Sequence, residues 1–351
     1  MQRLLRTTAV GVTASMLMSA AVSADTLVLS TSGGVVAEAT MKYFVPAFEK
    51  ETGWKVQQVS AEGTRMAEIE AMVRAGNPVW DVSEISASNY PIGVQRGLLE
   101  EVNYELVDPE GLLPEIARAK YGVVTASYST VLMQNTAKSP EGKLMTTWAD
   151  FWDTETFPGP RSLREGPEYN LEFALLADGV AIDDLYTVLA TPEGIDRAFD
   201  KLGEIRESIP VWWTSGAQSV QLLTDGEVIY ATNYNGRASA MVKAGIPISI
   251  MWNGGALHTT YLGIVKGTKN LEAAHAYLRV RATNTESQRE YLNFLPYPGS
   301  APGLLESLPQ EVAEQLPTYP ANLAGQYVAN EEFWAANIEA LRERWDEWLL
   351  E

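Results

Sequence analysis

An α/β fold in two domains, each a mainly parallel sheet with helices packed on both faces, is what this sequence predicts, and three observations carry it. Short apolar runs alternate with amphipathic stretches of helical period. Two long extended passages, "YGVVTASYSTVLMQNT" and "PISIMWNGGALHTTYLGIVKG", bracket a block with an alternation of its own, so the chain is expected to cross between domains and return. A chain of 351 residues with 46% hydrophobic composition can bury two cores, and neither repeats nor low-complexity tracts interrupt it.

The first segment reads as a removable leader. Arg3 and Arg6 precede an apolar run from Ala9 to Val22, and Val22-Ser23-Ala24 places small residues at both cleavage-recognition positions, which makes Asp25 the first mature residue. The run is short for a membrane span, no other stretch reaches about 18 apolar residues, and no cysteine stands at the cleavage point for lipid attachment. The mature protein is therefore expected to be exported and soluble.

Residues 27–29 form a short apolar strand that runs into "STSGG". Val36, Ala39, Tyr43, Ala47 and Phe48 then recur at helical spacing, and Gly53 stops that helix. "WKVQQVS" reads as a strand. The stretch from Thr64 to Arg74, with Met66, Ile69, Met72 and Val73 on one side, reads as a second helix. "WDVSEIS" is the next strand and "YPIGVQRGLLEEV" a third helix. After the bracketed block, the tail "EEFWAANIEALRERWDEWLLE" is amphipathic, with Phe333, Ile338, Leu341 and Trp345 on its packing face.

Composition narrows the function. The formal net charge is -19, and a leader holding two arginines and no acid leaves the mature chain more acidic still. Such a surface repels nucleic acid and anionic lipid. Cysteine is absent, so disulfides, thiolate metal sites and cysteine nucleophiles are excluded. The two histidines are His258, in an extended crossing where it can face a cleft, and His275, on a helix where packing explains it. G-x-S-x-G, H-E-x-x-H, G-x-x-x-x-G-K-[ST] and G-x-G-x-x-G do not occur, and the acid pairs Asp183-Asp184, Glu100-Glu101 and Glu331-Glu332 read as helix starts or solvated faces. No catalytic constellation, metal site or cofactor is expected.

Ligand-binding residue types do gather at element ends. Thr31, Ser32 and Gly33 lie where a strand gives way to a helix, and Ser86 and Ser88 hold the corresponding place after "WDVSEI". Open α/β sheets bind ligands just beyond strand carboxyl ends, where helix N-H groups are free, although each Ser or Thr also serves as a helix cap. The glycine pair is read as letting backbone approach a solute.

The ordered set "FVPAFEKETGWKV", "WDVSEIS", "ALLADGV", "LLTDGEV", "YNGRA" and "GGALHTTYLGIVKGTKNLEAAHAYL" resembles the periplasmic solute-binding proteins of ABC transporters, in the branch that holds spermidine/putrescine-binding proteins. The resemblance spans nearly the whole mature chain. It implies a two-lobed type II periplasmic-binding (Venus-flytrap) fold that closes on a small solute by hinge motion and delivers it, as a monomer, to a membrane permease. The two extended passages then become crossings near Val124 to Tyr128 and Met251 to Thr260. They divide the chain into a first lobe, 25–126 plus 257–300, and a second, 127–256 plus 301–351.

Carried onto this sequence, the family's contact positions give Ser86 after the second strand, Tyr234 before the "NG" pair and Tyr297 in "LPYPGSAPG". The chain departs in two places. Thr31 and Ser32 stand where polyamine binders place an aromatic, and neutral Thr260 stands where an acid would grip an ammonium. Arg164 and Arg237 lie in loops expected to face the cleft, where each serves either a ligand carboxylate or an ion pair, and Glu168 is placed to pair with a ligand amine or with Arg164. In Trp212-Trp213 one ring of an extended pair points away from the domain core, and Trp213 is taken as a cation-π wall, with Ser215 starting the following helix. The expected solute is amine-bearing: a polyamine by family, or an amino-acid-like molecule such as γ-aminobutyrate by these local residues. An inorganic anion or ferric iron on the same fold is the alternative, against which no adjacent tyrosine pair is found, and an exported enzyme comes third.

Overall fold

The computed structural model describes residues 25–61 and 65–350. The expected leader lies outside the described residues. Ten strands join in one mixed sheet: β1 (Thr26–Thr31), β2 (Lys55–Ser60), β3 (Val82–Ser86), β4 (Arg118–Ala119), β5 (Gly122–Asn135), β6 (Arg161–Arg164), β7 (Val211–Trp213), β8 (Tyr230–Tyr234), β9 (Ile248–Ile264) and β10 (Tyr327–Val328). Their order is β2-β1-β3-β9-β5-β8-β6-β7, with β4 beside β5 and β10 beside β9.

The expected parallel pairing holds at both ends, where β1 pairs with β2 and β3, and β6 with β7 and β8. The middle differs. β5 and β9 run antiparallel to each other, β9 antiparallel to β3, and β5 antiparallel to β8. These two long strands are the extended passages of the sequence, and each contributes to three hydrophobic clusters.

One core gathers Leu27, Leu29, Phe48, Val82, Val123, Val124, Leu262 and Ile264 with Tyr277 and Leu278 of the helix Leu271–Thr283. The other gathers Leu132, Phe151, Leu163, Phe173, Tyr230, Met251 and Ala256 with Leu341 and Trp345 of the helix Glu331–Leu350. Along β5, Val123 and Val124 belong to the first of these cores, Leu132 to the second, and Val131 and Met133 to a third cluster. The register between β5 and β9 shifts at Val124/Ala126 and again at Thr130/Leu132. Irregular pairing bends strands locally, and the stretch between the shifts separates Val124 of one core from Leu132 of the other.

Two helix expectations need correction. The stretch after "STSGG" is two helices, Gly34–Tyr43 and Val45–Thr52, because Pro46 has no N-H to give the preceding turn and instead sits in the first turn of a new helix. In "YPIGVQRGLLEEV" only Tyr90–Gln95 is helical. Leu98 and Leu99 are pulled into the first lobe, and Leu99 bridges to Val265. The segment after β9 also packs across: Leu292 of the helix Thr285–Phe294 clusters with Ala301, Leu304 and Leu316.

Candidate functional site

Between the lobes lies a chamber of about 280 Å³. Ser32 and Val36 reach it from the end of β1 and the helix that follows, Glu84 from β3, Thr125, Ala126 and Tyr128 from β5, and Thr260 from β9. Tyr234 closes it from the end of β8, Arg281 and Tyr291 from two consecutive helices, and Tyr297 from the chain beyond them.

Four tyrosines make its walls. Tyr128 stands edge-on to Tyr234, with ring centroids 5.8 Å apart, and to Tyr297 at 6.1 Å. Tyr291 packs against Phe44 at 5.5 Å. Burial raises the hydroxyl pKa of Tyr128 and Tyr297, and pushes that of Tyr291 up to about 12. All three therefore stay protonated at neutral pH and present neutral O-H groups and ring faces, a lining suited to an ammonium.

Two charges break this neutrality. Glu84 stands in a strand buried on both faces, and its Oε2 accepts the backbone N-H of Ser32 at 2.9 Å. It is the one acid among the described residues that line the chamber. β3 pairs with β9 so that Ser86 faces Thr260 and Glu84 faces Leu262, which places Glu84 one pleat along from the neutral Thr260. Arg281 is the cation, buried against the ring of Phe44 with 3.8 Å from its guanidinium carbon to the ring centre.

A second cavity, of about 980 Å³, opens beside the first and includes Ser88, Tyr90, Arg164, Glu168, Tyr169, Glu331 and Trp334 in its lining. Arg164 ends β6 and lies over the ring of Tyr169 at 5.6 Å. Burial works against its charge, yet the oxygens of Tyr234, Tyr169, Glu168 and Tyr128 together raise its pKa above the ordinary arginine value. Tyr169 is the one described non-glycine residue with positive φ, at 70°, a strained conformation that keeps its ring 4.7 Å from His258 and under Arg164. His258, 1% exposed, is packed between Tyr128, tilted against it, and Tyr169, edge-on to it, and its Nδ1 lies 3.6 Å from Glu331 Oε1. Glu331 is therefore turned toward the interior rather than being a plain solvated helix start.

Of the residues singled out in the sequence, Ser32, Tyr234, Thr260 and Tyr297 line the small chamber, and Ser88, Arg164 and Glu168 line the larger cavity. The others are committed elsewhere. Thr31 is buried, and its hydroxyl is used by Ser32 O and Gln58. Ser86 Oγ bonds Ser88 Oγ at 3.2 Å. Ser215 accepts the Gln218 N-H as the cap of the helix Gly216–Asp225. Trp213 does not form a cleft wall: it is 1% exposed in a core of the second lobe, where its indole N-H donates to Thr232 Oγ1. The partner ring, Trp212, packs edge-on against Trp345 and Trp348 of the terminal helix, so the two rings of the pair serve two different cores.

Glu168 pairs with Arg342 at 2.9 Å rather than with Arg164. Arg237 is exposed beside Tyr297 and over Gly216. Gly33 has ordinary extended backbone, and Gly34, at φ 61°, is the position that requires glycine. His275 bonds Leu271 O and Asn103 N, which is structural.

Sequence reasoning missed Glu84, Tyr128, Arg281 and Tyr291. A signal existed for two of them. An acid in the middle of a buried strand needs a reason, and Arg279 and Arg281, two apart on one helix, point about 200° apart, so one had to face inward.

The family model for bacterial extracellular solute-binding proteins matches residues 44–321. The gamma-aminobutyric acid-binding protein of Pseudomonas aeruginosa is 38% identical over 322 residues, which cover 92% of this chain and 90% of that protein. The spermidine/putrescine-binding periplasmic protein of Salmonella typhimurium is 23% identical over 286 residues, 78% of each chain. The crystal structure of an ABC transporter substrate-binding protein from Bradyrhizobium japonicum aligns with a TM-score of 0.79 at 36% identity, over 93% of this chain and 99% of that one. With its two lobes joined by β5 and β9, the chain belongs to the bacterial extracellular solute-binding protein family, as a substrate-binding protein of ABC transport.

Proposed function

We propose that the solute is a small ω-amino acid of the γ-aminobutyrate type, held in the tyrosine chamber. The observation that carries this reading is the charge inventory: the chamber offers one carboxylate, Glu84, and so can pair one ammonium. A second buried ammonium, as in putrescine or spermidine, would be left without a partner at a cost of several kcal/mol, on the order of a thousandfold in affinity. The 38% identity to a protein named for γ-aminobutyric acid supports the same choice.

The wider reading is a periplasmic, monomeric receptor that hinges about the irregular stretches of β5 and β9, shuts its lobes over the solute and presents the closed form to a permease. The two hydrophobic cores support a division near Ala126 and Leu257, with 301–316 packed onto the first lobe through Leu292. Binding without turnover is expected, so solute recovered after long incubation is unchanged.

Calorimetric titration of ligand-stripped protein with γ-aminobutyrate, putrescine and spermidine tests the assignment. Micromolar or tighter binding of γ-aminobutyrate alone, lost in Glu84→Gln, is the expected result. Binding of a polyamine alone would overturn it.

A further inference from the structure

Resting on the reading of the solute as an ω-amino acid, the geometry points to Arg281 as the residue that holds its carboxylate, and so as the determinant that separates amino acids from diamines. Four arginines lie near the site, and they differ in what they have left to give. Arg237 is exposed, Arg164 faces the larger cavity, and Arg65 already donates to Glu84 O at 2.8 Å and to Ser32 Oγ at 3.4 Å. Arg281 alone of the four lines the small chamber, and it is 2% exposed.

A buried guanidinium needs hydrogen-bond acceptors to replace its lost water. Arg281 has none: its side chain makes no hydrogen bond or ion pair among the described residues, and its Nη1 is buried without a partner. The contacts that fix it are ring faces, Phe44 at 3.8 Å and Tyr291 at 5.7 Å. Stacking holds the plane of the guanidinium and leaves its N-H edge unused, and that edge is the part that forks onto a carboxylate.

Glu84 completes the arrangement. It and Arg281 act in opposite senses on the buried hydroxyl of Tyr277, which has no partner, yet the two charges form no ion pair with each other. Each is thus available to a ligand. A zwitterion places its ammonium at Glu84 and its carboxylate at Arg281, and each end then supplies the charge its partner lacks. A diamine brings its second ammonium against an arginine.

The test compares γ-aminobutyrate with 4-aminobutanamide, which is the same length but neutral at the acid end, and with putrescine, on wild type, Arg281→Gln and Arg164→Gln. Wild type is expected to prefer γ-aminobutyrate over the amide by about 100-fold, and Arg281→Gln to lose both that affinity and that preference, as for removal of a forked charge-assisted pair. Arg164→Gln is expected to keep the preference. Loss of preference reports the carboxylate contact itself, because a merely structural defect weakens acid and amide alike. If Arg281→Gln does not fold, Arg281→Lys, which keeps the charge without the fork, is expected to retain the preference at about tenfold lower affinity.

The assignment is overturned if Arg281→Gln retains the preference or Arg164→Gln abolishes it. Wild type that binds putrescine instead of γ-aminobutyrate overturns the ω-amino acid reading, and the assignment with it. Wild type that binds γ-aminobutyrate with an indifferent Arg281→Gln overturns the assignment alone.

Discussion

At the residue scale, the site depends on side chains whose neighbours fix them rather than on their own chemistry. Gly236 shows this most directly. It opens a helix directly beneath Tyr297, and a Cβ there would stand 2.9 to 3.0 Å from two ring carbons and the hydroxyl oxygen of that side chain. Gly236→Ala is therefore expected to push Tyr297 out of the chamber wall, at about 1–3 kcal/mol of overpacking, and to weaken solute binding more than it lowers the melting temperature. Calorimetric titration beside thermal unfolding checks this, and unchanged affinity would show that the Tyr297 ring does not touch the solute. Gly34 behaves differently. Open space surrounds its missing Cβ, so Gly34→Ala has no clash to relieve and is expected to cost about 1–2 kcal/mol through its left-handed backbone alone, read as a shift in denaturation midpoint. "SGG" is legible as a turn, but which of its glycines the turn requires is set by backbone angles that the letters do not carry.

At the scale of elements, β6 explains why Arg164 is held where it is. Arg161, at the start of the strand, is wholly buried and donates to the backbone carbonyls of Phe151, Gly159 and Phe157 at 2.6 to 2.7 Å. Its guanidinium also lies over the rings of Phe151 and Tyr230, at 5.4 and 5.2 Å. Burial lowers its pKa, though not enough to discharge an arginine. One side chain thus closes the loop between the helix Trp148–Trp152 and β6. Arg161→Gln leaves buried carbonyls without donors and is expected to cost about 3 kcal/mol in denaturant titration, while the protein that remains folded binds solute within about threefold of wild type. A large loss of affinity at full folding would mean that the loop itself reaches the cleft. Strand periodicity foretold β6 poorly, because a four-residue strand with an arginine at each end does not look like one until the carbonyls around it are known.

At the scale of the whole molecule, the terminal helix ties the second lobe to a buried carboxyl. Glu172, in the helix Asn170–Ala177, accepts from Trp334 Nε1 at 2.7 Å and from Tyr186 Oη at 2.9 Å, and its other oxygen has no partner. Burial outweighs those bonds and raises its pKa to about 7. The folded chain therefore holds this proton between about 4.5 and 7, where the unfolded chain releases it, and this group's contribution to stability is full below that window and lost as pH rises through it. The loss amounts to about 3 kcal/mol, complete above pH 7. Glu172→Gln keeps an acceptor for both donors, so it is expected to be more stable than wild type above pH 7 and to flatten the profile below it. Thermal unfolding across pH 4.5 to 8 measures this, and parallel profiles for the two proteins would refute it.

Much of this protein was fixed by its sequence. Alternating apolar periods determined an α/β chain, and the ordered family motifs determined an extracellular solute-binding protein. Those properties are local or patterned, and period, composition and motif report them directly. Only the tertiary structure decided which charges face the solute. It put Trp213 into a core, paired Glu168 with Arg342, and brought Glu84 and Arg281, nearly two hundred residues apart, into one chamber. The reason is physical: whether a charged side chain is paired, solvated or waiting for a ligand depends on what the rest of the chain packs around it, and no window of sequence holds that information.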